Sequence, residues 1–100
     1  MPTLPGAAAV TIDVACTPTT DGWTCRVRLT EDGTSTHHEV SVKRRDLARL
    51  APAATEPDDL VRRSFDFLLA REPKESILRS FDLTAIARYF PEWERAIRDA

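Results

Sequence analysis

The chain has 100 residues, of which 42% are hydrophobic and 30% are charged, and its formal net charge is −2 at neutral pH. These values exclude a disordered chain and a pair of ordinary-sized domains, and neither half is a basic block of the kind that binds duplex nucleic acid. No apolar run approaches the roughly 20 residues that span a bilayer, and the first residues lack the pattern of a signal peptide, so we expect a cytoplasmic protein.

Two periodicities divide the chain near residue 43. Residues 1–9 predict a flexible N-terminal leader, and residues 10–100 predict a single α+β domain. Apolar and polar residues alternate over 10–16, 23–30 and 36–42, which predicts three half-buried strands and a β-meander over 10–43. Over 44–100 the apolar residues recur at helical spacing, which predicts the helical part of the domain.

The second and third strands are joined at Asp32-Gly33. This dipeptide favours a two-residue type I′ turn, because both central positions need a positive φ angle. The turn fixes a register in which the apolar residues of both strands share one face and Arg26 faces Glu39 on the other. The remaining predicted pairs are Leu29 with Thr36, Val27 with His38, Cys25 with Val40, Trp23 with Val42, and Arg28 with His37.

The second half predicts short helices separated by prolines. The first covers 45–50 and stops before Pro52. Residues 55–58 have the pattern of a capping box for the next helix, which we expect to end near Arg71. A short helix is expected over 76–80, Asp82 is the expected cap of a helix over 83–89, and Pro91 starts the last. The predicted fold class is α+β, a three-stranded antiparallel β-meander followed by three to four short helices packed on one face of the sheet.

Cys16 and Cys25 do not have the spacing of a four-thiolate zinc site. In one register of the first two strands Cys16 faces Trp23, and Cys25 lies diagonal to it. A shift by two residues places the cysteines opposite each other, where a disulfide bond is conceivable. Because cytoplasmic thiols stay reduced, we favour two reduced core thiols over a disulfide, and a catalytic thiol least of all.

His37-His38-Glu39 is the other candidate for site chemistry. Adjacent strand residues point to opposite faces, so the two imidazoles do not share a metal ion on a regular strand. We expect His37 at the surface, and His38 toward the core with a hydrogen-bond partner. An enzyme or metal protein that uses His38 with a cysteine or a carboxylate is the weakest hypothesis.

Motifs for catalysis and cofactors are missing from the sequence. The three glycines are scattered, so no glycine-rich phosphate loop exists, and neither a nucleophile elbow nor a His-Glu-x-x-His helix is present. We therefore predict no catalytic residues, no metal site and no cofactor. Residues 73–78 and 81–83 match no motif to which a mechanism attaches.

Two surfaces are candidates for binding. One is the polar sheet face with the start of the following helix, where the candidate residues are Arg26, Arg28, His37, Lys43, Arg44 and Arg45. This surface is mildly basic, but it lacks the aromatic residues on which sheet-based proteins stack bases. The other is the aromatic-rich C-terminal segment, in which we assign Phe81 to the core and predict Tyr89 and Trp93 as exposed or oligomeric contacts.

The edge of the first strand offers a further contact, because no proline or lysine blunts residues 10–16. This strand is predicted to pair with its copy in a homodimer or to accept a peptide. Taken together, the sequence predicts a small non-enzymatic protein-interaction or regulatory module that binds a partner protein or itself. The alternative is a nucleic-acid-binding protein that uses the basic sheet face.

Overall fold

A computed structural model describes residues 10–98, and the predicted leader over 1–9 lies outside these residues. The fold is α+β, as predicted, with a four-stranded sheet and several short helices. The strands are β1 (Thr11–Pro18), β2 (Gly22–Glu31), β3 (Thr34–Lys43) and β4 (Ser80–Asp82), and the helices are α1 (Arg44–Leu50), α2 (Asp58–Leu69), α3 (Ile86–Tyr89) and α4 (Trp93–Arg98). The spatial order is β1-β2-β3-β4, with β1 to β3 antiparallel and β4 parallel to β3.

The hairpin of β2 and β3 has the predicted register throughout. Arg26 lies opposite Glu39, Cys25 opposite Val40, and the other predicted pairs follow. Asp32 and Gly33 have φ angles of 51° and 81°, the left-handed values that a type I′ turn requires. Short-range turn chemistry and the alternation of burial therefore specify this element completely.

The register of β1 on β2 is the second of the two that the sequence allows, in which the cysteines face each other. Cys16 lies opposite Cys25, and the two form a disulfide bond, so the expectation of reduced thiols is wrong. The strand continues to Pro18, and the short loop is closed by a hydrogen bond from the Thr19 amide to the Gly22 carbonyl (2.7 Å). A side chain at Gly22 would meet the Val42 carbonyl at 2.0 Å, so glycine alone fits this end of the loop.

The fourth strand replaces a predicted helix. Lys74–Ser76 form one 3₁₀ turn, and the chain is extended by Ile77 and enters β4, so the helix expected over 76–80 is wrong. Lys74 is held at the tip of the hairpin, where its ammonium group donates to the Thr34 hydroxyl (2.8 Å) and lies 3.6 Å from Glu31. Contacts between residues about 40 positions apart thus outweigh the local helical pattern.

The helix ends follow the predictions in part. The helix α2 begins at Asp58 with Pro57 at its cap and no side-chain hydrogen bond there, so the predicted capping box with Thr55 does not form. Asp82 does cap the turn Leu83–Ala85, since its carboxylate accepts from the Thr84 amide (3.1 Å). The helix α3 follows directly, so β4, the cap and α3 form one continuous segment.

The core lies between the apolar face of the sheet and the helices. The buried strand residues Val27, Leu29 and Val40 belong to the same hydrophobic cluster as Phe65 of α2 and Trp93 of α4. Short helices are held by polar links at their edges, among them Arg49 of α1 to Glu94 of α4 (2.8 Å). This arrangement leaves the outer edge of β4 beside α3, where the candidate site is found.

Candidate functional site

The structure brings together only part of the predicted basic surface. Arg26 and Arg28 of β2 and His37 of β3 are exposed neighbours on the polar sheet face. With Arg79 they border a shallow depression of about 490 Å³, which Asp13 and Glu39 also line. The depression therefore carries mixed charge.

The other three predicted basic residues lie apart from this depression. Lys43 pairs with Asp82 (3.4 Å) at the end of β3. Arg44 lies over the Trp23 ring, with 5.1 Å from its guanidinium carbon to the ring centroid, and donates to the Thr20 carbonyl (3.1 Å). Arg45 is exposed on α1. Arg44 therefore braces the loop between β1 and β2.

The two predicted aromatic contacts have opposite environments. Trp93 is fully buried, and its indole Nε1 donates to the Ser64 hydroxyl (3.1 Å), so its assignment to an exposed contact is wrong. Tyr89 is 67% exposed, as predicted. The difference arises because α4 packs against α2, where the Trp93 indole meets Ser64, whereas Tyr89 is the last residue of α3 and lies at the surface.

An apolar groove lies beside β4 and α3. It has a volume of about 250 Å³. Its main apolar lining residues are Leu68, Ile77, Leu78, Phe81, Ile86 and Tyr89. Among the described residues, Leu78 (50% exposed) and Tyr89 are the two large apolar side chains that are exposed. Both therefore belong to one surface, which we call the apolar groove.

Sequence reasoning missed Leu78 because residues 76–80 were expected to be helical. On a helix, Leu78 would be one more residue of an amphipathic pattern. In the structure Leu78 follows Ile77 in extended chain. The Ile77 side chain is buried, whereas that of Leu78 is exposed. The one sequence signal for an exposed Leu78 was the apolar pair Ile77-Leu78 a few residues after Pro73.

The groove wall is anchored to the hairpin by His38. Its ring Nδ1 donates to the Leu78 carbonyl (2.7 Å), and its Nε2 lies 2.9 Å from the Thr36 hydroxyl. The centroid of the His38 ring lies 5.5 Å from that of the Phe65 ring, and the Phe65 centroid lies 6.1 Å from that of Phe81, which lines the groove. The expectation that His38 faces the core with a hydrogen-bond partner is confirmed.

Burial lowers the pKa of His38 from its ordinary value of 6.5, because an imidazolium loses hydration there. The Leu78 carbonyl raises this pKa, and the positive charges of His37 and Arg79 lower it further. The balance favours the neutral ring with the proton on Nδ1, which is the tautomer that holds Leu78.

Charged groups also fix both ends of the segment that forms the groove. Lys74 is 3% exposed, and its pKa is raised chiefly by the hydrogen bond to Glu75 (2.7 Å). At the other end, burial raises the pKa of Asp82, but hydrogen bonds from Thr84 and Ser41 and the charge of Lys43 outweigh it and lower the pKa. Both side chains are therefore ionised at neutral pH and serve as clamps.

Groups for site chemistry are few. Both cysteines of the chain are in the disulfide, so neither is a thiolate nucleophile in this state. Over residues 10–98, no cluster of three or more histidine, cysteine or acidic side chains has metal-binding geometry, and the helices are too short or too polar to cross a membrane.

Comparisons with family models, with curated proteins and with solved structures found no match to this chain. The functional argument therefore comes from the geometry of this molecule alone.

Proposed function

We propose that the protein is a small non-enzymatic protein-interaction module, and that the apolar groove receives a large apolar side chain from a segment of a partner protein. The observation that carries this proposal is that Leu78 and Tyr89, the two exposed large apolar side chains of the described residues, border the same groove. Exposed apolar residues that cluster in this way mark interaction sites more often than scattered ones.

The size of the groove favours a side chain over a free small molecule. Its volume of about 250 Å³ is below the roughly 300–1,000 Å³ of typical ligand pockets. Among the residues that the structure describes, Glu72 is the one charged residue in its lining. A partner segment with a leucine or aromatic anchor next to a basic residue fits both features.

The rigidity of the groove wall also supports the proposal. Residues 74–82 are held at Lys74, at the Leu78 carbonyl and at Asp82, each by a contact to the hairpin strands or their turn. A preorganised site loses less conformational entropy on binding, so more of the contact free energy becomes affinity.

Selection of peptides from a random display library on the full chain tests the proposal. We expect the selected peptides to share a large apolar residue beside a basic one, and to bind Leu78→Ser at least tenfold more weakly. The matched control is Arg45→Ser, which changes an exposed residue of α1. Failure to select peptides whose binding depends on Leu78 would contradict the proposed function.

A second candidate function, nucleic-acid binding, is favoured by the charges of the polar sheet face. Arg26, Arg28 and Arg79 make no ion pair within 4.0 Å with any described residue, although they share one depression. The carboxylates of Asp13 and Glu39, which line the same depression, weaken the attraction of these arginines for a polyanion. We expect any DNA or RNA affinity to fall steeply with salt and to decrease in Arg26→Gln/Arg28→Gln, and equal binding by this variant would exclude the candidate.

The cellular location and the homodimer stay predictions. The disulfide between Cys16 and Cys25 bears against a cytoplasmic location, because oxidising compartments favour such bonds. One carbonyl of β1, that of Ile12, accepts a hydrogen bond from Arg62, which reduces the capacity of this edge to pair with a second copy. Thiol trapping in cells and light scattering test the two predictions.

A further inference from the structure

We propose that the partner segment binds in an extended conformation, as a strand added to the outer edge of β4 with alternate side chains in the apolar groove. This inference rests on the proposed function and specifies its partner. This binding mode requires that the outer edge of β4 is open next to the groove. It also requires that side chains of the added strand point into the groove.

The edge of β4 has backbone groups that point away from the sheet. β4 is the last strand in the sheet, and the Arg79 carbonyl accepts from the Glu39 amide of β3 (2.7 Å). Because backbone groups alternate in direction along a strand, the N–H and C=O of Ser80 point outward. No hydrogen bond within the described residues satisfies this outward pair. An added strand would satisfy both.

The side chains of such a strand would reach the groove. Phe81 lies opposite the buried Val40, so it is on the helical side of the sheet, and it lines the groove. A neighbouring strand runs about 4.8 Å away, and every second side chain points to the same face. Those side chains would therefore lie next to Phe81, in the groove that Leu78 and Tyr89 also line. The partner segment should alternate apolar and polar residues, with its largest apolar residue at the groove.

A helix or a second copy fits less well. A helix bound in a groove needs anchors over two turns or more, whereas about 250 Å³ holds one or two side chains. A second copy would have to use its own β4 as the added strand, and Phe81, the one apolar residue of that strand, already packs against the core of its own domain.

The substitution Ser80→Pro tests the edge from the side of the protein. Proline lacks the outward N–H but is tolerated on edge strands at positions that face solvent, so we expect normal folding and at least tenfold weaker binding of a display-selected peptide. Ser80→Ala keeps the N–H and is the matched control with unchanged binding. Equal binding by the two variants would overturn the inference.

The peptide provides an independent test that does not depend on folding of a variant. Methylation of one backbone amide at a time should weaken binding at alternate positions, namely those that face β4. A helical bound peptide, or uniform tolerance of methylation, would overturn the inference but leave the proposed function intact if Leu78→Ser still loses the peptide. A dimer in light scattering that Leu78→Ser abolishes would also overturn the inference, in favour of a second copy.

Discussion

His38 connects the hairpin to the rim of the groove through one hydrogen bond to the Leu78 carbonyl. His38 is 3% exposed, and this burial lowers the pKa of the ring. The ring is therefore neutral at neutral pH. A buried neutral histidine couples stability to pH, because the unfolded chain takes up a proton more readily than the folded one.

We expect the free energy of unfolding to be highest above pH 6.5 and to fall as the pH is lowered from 6.5 toward the depressed pKa of folded His38. Each unit by which that pKa lies below 6.5 removes about 1.4 kcal/mol. Urea unfolding at a series of pH values measures this loss, and His38→Gln should be less sensitive over the same range. The same slope in both proteins would contradict the assignment.

Trp93 provides the second prediction for a single residue. Its indole is fully buried and donates to Ser64, whose hydroxyl donates in turn to the Leu60 carbonyl (2.8 Å). We expect Trp93→Phe to lower the free energy of unfolding by about 1–2 kcal/mol, from the lost hydrogen bond and the smaller ring. Tyr89→Phe, at an exposed position, should change it by less than about 0.5 kcal/mol. Similar costs for the two variants would show that Trp93 is not a core residue.

At the scale of the elements, the attachment of β1 to the sheet is reinforced by the disulfide bond between Cys16 and Cys25. This strand is an edge strand, and the disulfide joins it to β2 across a sequence separation of nine residues. By constraining the unfolded chain, a loop of this length adds about 2–3 kcal/mol of stability.

We therefore expect Cys16→Ala/Cys25→Ala to unfold at lower urea concentration than the wild type, by an amount that corresponds to this free energy. Dithiothreitol should lower the stability of the wild type but leave the double variant unchanged. An intact mass that does not rise by two hydrogens on reduction would show that the bond is absent.

The hairpin, the predicted Asp82 cap and the fold class were within reach of the sequence, because each depends on residues close together in the chain. Asp32-Gly33 alone fixes the register of β2 and β3. The register of β1 on β2 was not within reach of the sequence. The loop between the two strands allows two alignments that place the apolar residues equally well, and only one of them brings Cys16 opposite Cys25.

The groove was beyond sequence reasoning for a different reason. It exists because β4 pairs with β3 across about 40 intervening residues, through the Glu39 amide and the His38 ring. No local pattern announces such a pairing, and residues 76–80 taken alone favour a helix. The aromatic content correctly drew attention to Tyr89, but only the tertiary structure separates it from the buried Trp93.

At the scale of the whole molecule, the sheet divides the surface into two parts with different chemistry. The polar face presents arginines interspersed with acids around a shallow depression, whereas the edge at β4 presents apolar side chains around a smaller groove. A partner that binds one part need not touch the other, so variants in each part serve as controls for the other.

The most direct test of the central claim is the amide NMR spectrum of the ¹⁵N-labelled full chain during titration with a display-selected peptide. We expect the largest chemical-shift changes over residues 76–90, with little change at Arg26, Arg28 and His37 on the polar face. Changes centred on those three residues, with the groove unaffected, would contradict the account.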